Sequence, residues 1–243
     1  MNAVTAPVIL LLATRNAHKV GEIRAILGGG FRCLTLDDFP GAPEVVEDAS
    51  TFAGNATKKA VELARWISSS PLTPHAPRIT PADFVLADDS GLEVDALAGA
   101  PGVHSARFAA LDASTPGNSH DVGNNAKLLR LLAEVPLEKR TARFRCVLAL
   151  TPGISESVAN ASPVCYADEF EMQTQLFEGA CAGHIQFAPG GKGGFGYDPL
   201  FVPDGFAQSF AELGEDVKNR LSHRGKALEG LKRYFASTLR CGR

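Results

Sequence analysis

Carboxylates at two places in the sequence could bind a divalent cation. Asp88 and Asp89 follow the apolar run Phe84–Ala87, at the predicted end of a strand, and Glu47 lies in an acidic loop earlier in the chain. Because successive strand residues point to opposite faces, only one of the two aspartates is expected to face a cleft. Mg²⁺ takes one or two carboxylates and completes its shell with water and phosphate oxygens, so Glu47 and Asp89 would suffice. The alternative is that Asp88 and Asp89 only cap the turn through Gly91.

A polar turn near the start of the chain is suited to anion binding. It consists of Thr14, Arg15, Asn16, Ala17, His18 and Lys19. The turn lies between an apolar run and a helical pattern, where exposed N–H groups and the positive end of the helix dipole attract anions. Lys59 is four residues after Asn55, hence on the same helix face, and could reach the same ligand. The alternatives are that Asn16 simply caps the helix and that Asn55 and Lys59 form a solvated face.

Glycines between Gly191 and Gly196 match the pattern G-x-G-x-x-G. A dinucleotide site requires these glycines to open a helix, whereas here they run into aromatic residues and a proline that suit a strand. Dinucleotide binding is therefore disfavoured, and a kinase is disfavoured because no H-R-D or D-F-G motif accompanies the loop. Phe195 and Tyr197 could stack on a base, or their rings could equally belong to the core.

Hydrogen-bond donors are concentrated where the final helix begins. His223 and Arg224 lie there, preceded by Lys218. A neutral His and an Arg both offer N–H groups, which suit an oxo group or a ring nitrogen better than an amino group. The surrounding basic residues could serve a small polyanion or form a solvated helix face.

The chain around these residues alternates between strand and helix patterns, which is typical of an α/β protein. Strands are predicted at Val8–Ala13, Arg32–Leu36, Phe84–Ala87, Thr141–Leu150, Gln173–Phe187 and Tyr197–Val202. Helices are predicted to follow the first strand through Leu27, from about Thr51 to Ile67, near Asn124–Ala133, and over Val217–Leu239 with a break near Ser222. The alternating pattern of the fourth strand favours antiparallel pairing, so the sheet is expected to be mixed. Residues 1–243 are expected to form a single domain, with Ser68–Pro81 as a surface insertion rich in proline.

Composition and charge exclude several classes of function. The net charge of −3 provides no global positive field for a nucleic-acid backbone, so no polynucleotide partner is expected. The apolar run at the start is far shorter than the roughly 20 residues that cross a bilayer, so no membrane association is expected. The five cysteines are scattered without metal-site spacing, which is typical of a reduced, cytoplasmic protein.

Six motifs in this order resemble the inosine triphosphate pyrophosphatase family, the Ham1/RdgB-like pyrophosphatases of non-standard purine nucleotides. They are Thr14-x-Asn16-x-x-Lys19, Asn55-Ala56-x-x-Lys59-Ala60, Ala87–Leu92, Gly99-x-Pro101-Gly102-x-x-Ser105-Ala106-Arg107, Gly194–Pro199 and Ser222-His223-Arg224. The resemblance extends from residue 8 to about residue 235, nearly the whole chain.

The resemblance implies two α/β lobes around a long, curved mixed sheet, with a nucleotide-binding groove between them, and a homodimer. The turn from Thr14 to Lys19 and Lys59 would hold the triphosphate. Glu47 and Asp89 would bind Mg²⁺, and Asp89 would also accept a proton from the attacking water. The nucleotide and its base would be held by Ser90, Phe195, Gly196, Tyr197, Asp198, Lys218, His223 and Arg224. Members cleave inosine, deoxyinosine or xanthosine triphosphate (ITP, dITP, XTP) to the monophosphate and pyrophosphate, which keeps these nucleotides out of DNA and RNA.

The sequence departs from the family pattern at three places. Gly54 occupies a position where members commonly have Glu, which removes a carboxylate and should cost the helix about 1 kcal/mol. The stretches Ser68–Pro81 and 152–168 look additional. Two alternatives remain: a Maf-like pyrophosphatase with another base preference, and a nucleotide-binding regulator without catalysis. The first leaves the residues around Phe195 and His223 unexplained, and the second leaves the paired acids without a purpose.

Overall fold

The computed structural model describes residues 7–69, 77, 79–80, 83–113, 117–153 and 169–241. Most of the predicted surface insertion at Ser68–Pro81, and most of the stretch 152–168, lie outside these residues. Within the described ranges, no helix is long and apolar enough to cross a membrane.

The apolar runs of the described residues form one six-stranded sheet in the order β2-β1-β3-β4-β5-β6. The strands are β1 (Val8–Leu12), β2 (Phe31–Leu34), β3 (Phe84–Val94), β4 (Thr141–Pro152), β5 (Gln175–Ile185) and β6 (Phe201–Pro203). β1 pairs in parallel with both β2 and β3, whereas β5 and β6 are antiparallel. The sheet is therefore mixed, and the predicted α/β class is confirmed.

Helices connect and flank these strands. They are α1 (Ala17–Leu27), α2 (Phe52–Ser69), α3 (Ala110–Ala113), α4 (Asp121–Leu131), α5 (Glu169–Gln173), α6 (Phe210–Leu213), α7 (Glu215–Leu221) and α8 (His223–Cys241). The predicted break near Ser222 is confirmed, because this residue is extended between α7 and α8. α4 begins three residues before the predicted start at Asn124.

Two predicted strands differ by more than two residues from those observed. β3 does not end at Ala87 but continues to Val94, because Leu92 and Val94 are also completely buried and extend the apolar strand. The aspartates therefore lie inside a strand, and the prediction that they only cap a turn is wrong. The predicted strand from Tyr197 is reduced to β6, because the backbone N–H of Leu200 donates to the carbonyl of Tyr197 in a turn.

The chain divides into two compact units. The first contains the residues up to Asp89 together with Val147–Phe177, and the second contains Ser90–Cys146 together with the residues from Glu178 onward. The core of the first includes Leu10–Leu12 and the buried face of α2. The core of the second is one cluster formed by Leu92, Val94, Phe108, Leu128, Leu132, Ala142, Phe144, Cys181, Ile185, Tyr197, Leu200, Phe201 and Phe210.

Candidate active site

Asp89 is a buried carboxylate in the middle of β3, with only 5% of its surface exposed. Its Oδ2 accepts a hydrogen bond from Nδ2 of Asn55 at 3.2 Å, and its Oδ1 lies 3.3 Å from Nζ of Lys59. Both partners lie on α2, one turn apart, as their spacing predicted. They are themselves buried, so the alternative that they form a solvated helix face is wrong.

Lys59 brings the two predicted metal ligands together. Its Nζ lies 3.2 Å from Oε1 of Glu47, close to Asp89, and donates at 2.9 Å to the backbone carbonyl of Asp88. Glu47 is half-buried in the loop that precedes α2. Asn55 fixes that loop, because its Oδ1 accepts from the N–H of Ala49 at 2.9 Å. One helix therefore positions both Asp89 and the loop that carries Glu47.

Asp88 contacts a different helix from its neighbour. Its Oδ1 lies 2.6 Å from Nζ of Lys19 on α1, and its side chain is completely buried. This agrees with the expectation that successive strand residues face opposite sides. Lys19 was predicted as the last residue of the polar turn, but the carboxylate that pairs with it was not.

The polar turn before α1 is built as a helix cap. Asn16 is extended, and its Oδ1 accepts from the N–H of Lys19 at 3.1 Å, while Oγ1 of Thr14 accepts from the N–H of Asn16 at 3.2 Å. Arg15 donates to the carbonyl of Ala42 at 2.9 Å, which ties the turn to the following loop. The exposed residues of the turn are Arg15, Asn16, Ala17 and His18. The capping role of Asn16 is thus confirmed, and an anion at the same helix end stays a prediction.

The electrostatics of Asp89 suit a proton acceptor. Burial raises the pKa of its carboxyl above the ordinary range, and Lys59 and Lys19 partly oppose this rise. Glu47 adds to the rise, because two nearby negative charges repel. A carboxylate with a raised pKa takes up a proton more readily than an exposed one.

The donor set also fits a hard divalent cation. The ammonium of Lys59 lies within 3.3 Å of carboxylate oxygens from both Glu47 and Asp89, so the pair already shares one positive charge. Within the described part of the chain, no three His, Cys, Asp or Glu side chains assemble as a metal site. Two carboxylates, with water and phosphate oxygens as the other ligands, are the donor set typical of Mg²⁺.

A second group of predicted residues assembles around Phe195. Nζ of Lys218 lies 4.4 Å from the centre of its ring, and the guanidinium carbon of Arg224 lies 5.9 Å away. Lys218 is paired with Asp198, whose Oδ2 also accepts from the N–H of Phe195 at 2.8 Å. Arg224 donates to Oγ of Ser90 at 2.9 Å. The ring of Phe195 is half-buried, so part of its surface remains available to a ligand.

Other members of this group are packed into the core. Tyr197 is buried, its hydroxyl donates to the carbonyl of Ser105 at 2.9 Å, and burial raises the pKa of that hydroxyl. Of the two readings of Tyr197, the core reading is therefore confirmed. The ring of His223 stacks on Phe144 with their centres 4.8 Å apart, and Arg224 is 1% exposed.

Sequence reasoning missed two residues that contact the predicted site. Asp121 and Asn125 on α4 hydrogen-bond to the backbone of Gly196. Their spacing of four residues could have identified a shared face, but the predicted helix began after Asp121.

Comparisons with known proteins agree with this arrangement. Residues 10–234 match the model of the Ham1 family. The chain is 45% identical to a dITP/XTP pyrophosphatase of Desulforamulus reducens over 221 residues, covering 90% of this chain and 92% of that protein. It is also 45% identical to a dITP/XTP pyrophosphatase of Geobacter sulfurreducens over 228 residues, covering 93% of this chain and 96% of the relative.

Solved structures give the same result. A HAM1 protein from Coxiella burnetii is 31% identical, with a TM-score of 0.70, and the match covers 95% of this chain and 99% of that chain. The resemblance in sequence thus extends to the fold and to almost the full length of both chains. By its sequence and its structure, the chain belongs to the Ham1 family.

Proposed function

We propose that this protein hydrolyses non-standard purine nucleoside triphosphates, such as ITP, dITP and XTP, to the monophosphate and pyrophosphate. The observation that carries the proposal is the setting of Asp89. Its carboxylate is buried and has a raised pKa, Lys59 and Lys19 lie near it, and Glu47 shares Lys59 with it. A site that only bound nucleotide would have no need of a desolvated proton acceptor beside its cations.

In the proposed reaction, water adds across the anhydride between the α and β phosphates. The water oxygen bonds to phosphorus, its proton passes to Asp89, and the bond to the leaving pyrophosphate breaks. Lys19 and Lys59 balance the negative charge of the phosphates, and Asn55 holds Asp89 in place. Phosphoryl transfer is accelerated mainly by such positioning and charge neutralisation.

Glu47 and Asp89 would hold Mg²⁺ with the phosphate oxygens of the substrate. When bound, the ion would neutralise phosphate charge and act as a Lewis acid. Lys59 contacts both carboxylates, so its ammonium and the metal ion would share them.

Base preference is assigned to the residues around Phe195. The half-buried ring offers a stacking surface, and the cations beside it, Lys218 and Arg224, are hydrogen-bond donors without acceptor capacity. An oxo group at purine position 6 accepts such bonds, whereas the amino group of adenine is itself a donor. An unpaired buried donor costs about 1–3 kcal/mol, so ATP should be a poor substrate. Guanine shares the 6-oxo group, and GTP is expected to fall between ITP and ATP.

The decisive experiment measures pyrophosphate release from ITP, dITP, XTP, GTP and ATP in Mg²⁺. We expect kcat/KM for ITP and XTP to exceed that for ATP by at least roughly a hundredfold, the effect of about two unpaired groups. A preference for modified pyrimidine nucleotides would instead favour a Maf-like activity. Binding of ITP without pyrophosphate release would favour the regulator.

Two further proposals concern the setting of the enzyme. The resemblance to homodimeric family members supports a homodimer, which sedimentation at several protein concentrations would test. Cys33 and Cys181 form no disulfide in the structure, which supports a location in the reducing cytoplasm.

A further inference from the structure

Two side chains of a single helix hydrogen-bond to both backbone polar groups of Gly196. Its N–H donates to Oδ2 of Asp121 at 2.7 Å, and its carbonyl accepts from Nδ2 of Asn125 at 3.0 Å. The two side chains are four residues apart on α4, so they project from the same face one turn apart. Together they form a clamp, Asp121 and Asn125, on one residue of the loop.

The clamp acts next to the stacking ring. Gly196 follows Phe195 directly and has a φ of 63°, a left-handed conformation that favours glycine. The neighbours on both sides are also fixed, because the N–H of Phe195 donates to Asp198 and the hydroxyl of Tyr197 donates to Ser105. The backbone under the Phe195 ring is thereby fixed on either side, while the ring itself stays half-buried.

Asn125 is a costly residue for the fold. It is 9% exposed, and its Oδ1 is buried with no hydrogen-bond partner among the described residues. Burying an acceptor without a partner is unfavourable for folding, which offsets the gain from the bond that Nδ2 makes. The side chain of Asn125 therefore adds little to the stability of the fold. Its bond to Gly196 is the better explanation for an asparagine at this position, because functional sites commonly carry such local costs.

We propose that Asp121 and Asn125 are positioning residues that orient Phe195 for stacking on the purine base. This inference rests on the proposed function. With the clamp removed, the loop samples more conformations and must be ordered when the base binds, which weakens binding. The residues assigned to phosphate belong to the other compact unit of the chain, so the loss should be confined to the base.

The test compares Asp121→Ala and Asn125→Ala with the wild-type enzyme. We expect each to raise KM for ITP roughly tenfold, the effect of one lost hydrogen bond to a loop, with kcat changed less than about threefold. In calorimetry, inosine monophosphate should bind weaker by a similar factor, whereas pyrophosphate with Mg²⁺ should bind as in the wild type. Tm should fall by no more than a few degrees, since Asp121 is exposed and Asn125 adds little net stability.

Two further variants serve as controls. Asp121→Asn keeps an oxygen that can accept from Gly196 and should restore most of the affinity for inosine monophosphate. Asp112→Ala also removes an exposed carboxylate that contacts α4, but its bonds are to Lys127 and Arg130, so affinity for the monophosphate should not change.

The outcomes separate this inference from the proposed function. A wild-type protein that does not hydrolyse ITP would contradict the proposed function. Active wild type with unchanged KM and monophosphate affinity in both alanine variants would contradict the clamp. A lowered Tm with equal losses for monophosphate and pyrophosphate would assign the pair a purely structural role and overturn the inference.

Discussion

At the scale of single residues, Asp89 shows how burial prepares a side chain for chemistry. Desolvation raises the pKa of its carboxyl, and the two lysines beside it only partly compensate. A folded-state pKa above the unfolded value means that this carboxyl favours folding most when it is protonated. That contribution is fully present below the unfolded pKa and is lost as the pH rises through the folded pKa. The ionised Asp89 therefore opposes folding in the metal-free protein at neutral pH.

Asp89→Asn should separate activity from stability. The amide cannot accept the proton of water, so kcat for ITP should fall at least roughly a hundredfold, the lower range for a lost general base. In metal-free buffer at pH 8, Tm of the variant should be equal to or higher than that of the wild type. Any such advantage should shrink as the pH is lowered through the raised pKa, because the wild-type carboxyl then takes up a proton. Asp48→Asn, at an exposed acid paired with Lys58, is the control and should retain kcat.

Lys19 is predicted to matter for both folding and catalysis. From sequence it resembles a solvated lysine that contributes little to folding, but its ammonium lies 2.6 Å from the completely buried carboxylate of Asp88. Lys19→Ala should therefore lower stability by about 3–5 kcal/mol, as expected when one partner of a buried pair is lost, and should raise KM. Adding Asp88→Asn removes the buried charge and should restore much of the stability but not KM. If the double variant is as unstable as the single variant, the ion pair is not the cause.

At the scale of elements, Gly54 explains how α2 and the preceding loop fit together. A Cβ on Gly54 would lie 2.8 Å from Cβ of Ala49 and 3.1 Å from Oγ1 of Thr51. The glycine therefore lets the loop lie against the helix at Ala49, which is two residues after Glu47. The helix gives up propensity at this position, about 1 kcal/mol relative to alanine, for a close approach of the loop.

Gly54→Ala should consequently impair metal use more than folding. The added methyl would displace Ala49 and with it the loop carrying Glu47, so the Mg²⁺ concentration for half-maximal activity should rise several-fold. Gly21→Ala on α1 is the matched control, since nothing lies within 4 Å of a Cβ there, and the gain in helix propensity should make it neutral or stabilising. An unchanged Mg²⁺ requirement in Gly54→Ala would show that the loop is not set by this contact.

At the scale of the whole molecule, the predicted residues divide cleanly between the two compact units. The residues assigned to phosphate and metal, from Thr14 to Asp89, belong to the first unit, and those assigned to the nucleotide and base, from Ser90 to Arg224, belong to the second. The boundary falls between two consecutive residues of β3. Each function is thus assembled by contacts within its own unit.

This division predicts that the two ends of the nucleotide can be weakened independently. Phe195→Ala should reduce affinity for inosine monophosphate up to roughly tenfold, the value of about one aromatic stack, and leave pyrophosphate affinity unchanged. Lys19→Met should do the reverse. When the losses in kcat/KM for ITP are expressed as free energies, those of the two single variants should add up to that of the double variant within about 0.5 kcal/mol. Strong non-additivity would show that the two sets of residues act as one network.

Apolar periodicity and motif spacing are local properties of the chain. They were therefore enough to predict the succession of the main strands and helices along the chain, the mixed sheet and the family. They also placed Asn55 and Lys59 on one face. The sequence did not determine that β3 continues through the aspartates, since polar side chains inside a strand are tolerated only where partners such as Lys19 and Lys59 meet them. Three further features depend on contacts between residues that are 69 to 92 positions apart in the sequence. They are the pairing of Lys19 with Asp88, the buried hydrogen bond of Tyr197, and the hydrogen bonds of Asp121 and Asn125 to Gly196. Only tertiary packing decides such contacts, because it sets which polar groups lose water and must find partners within the fold.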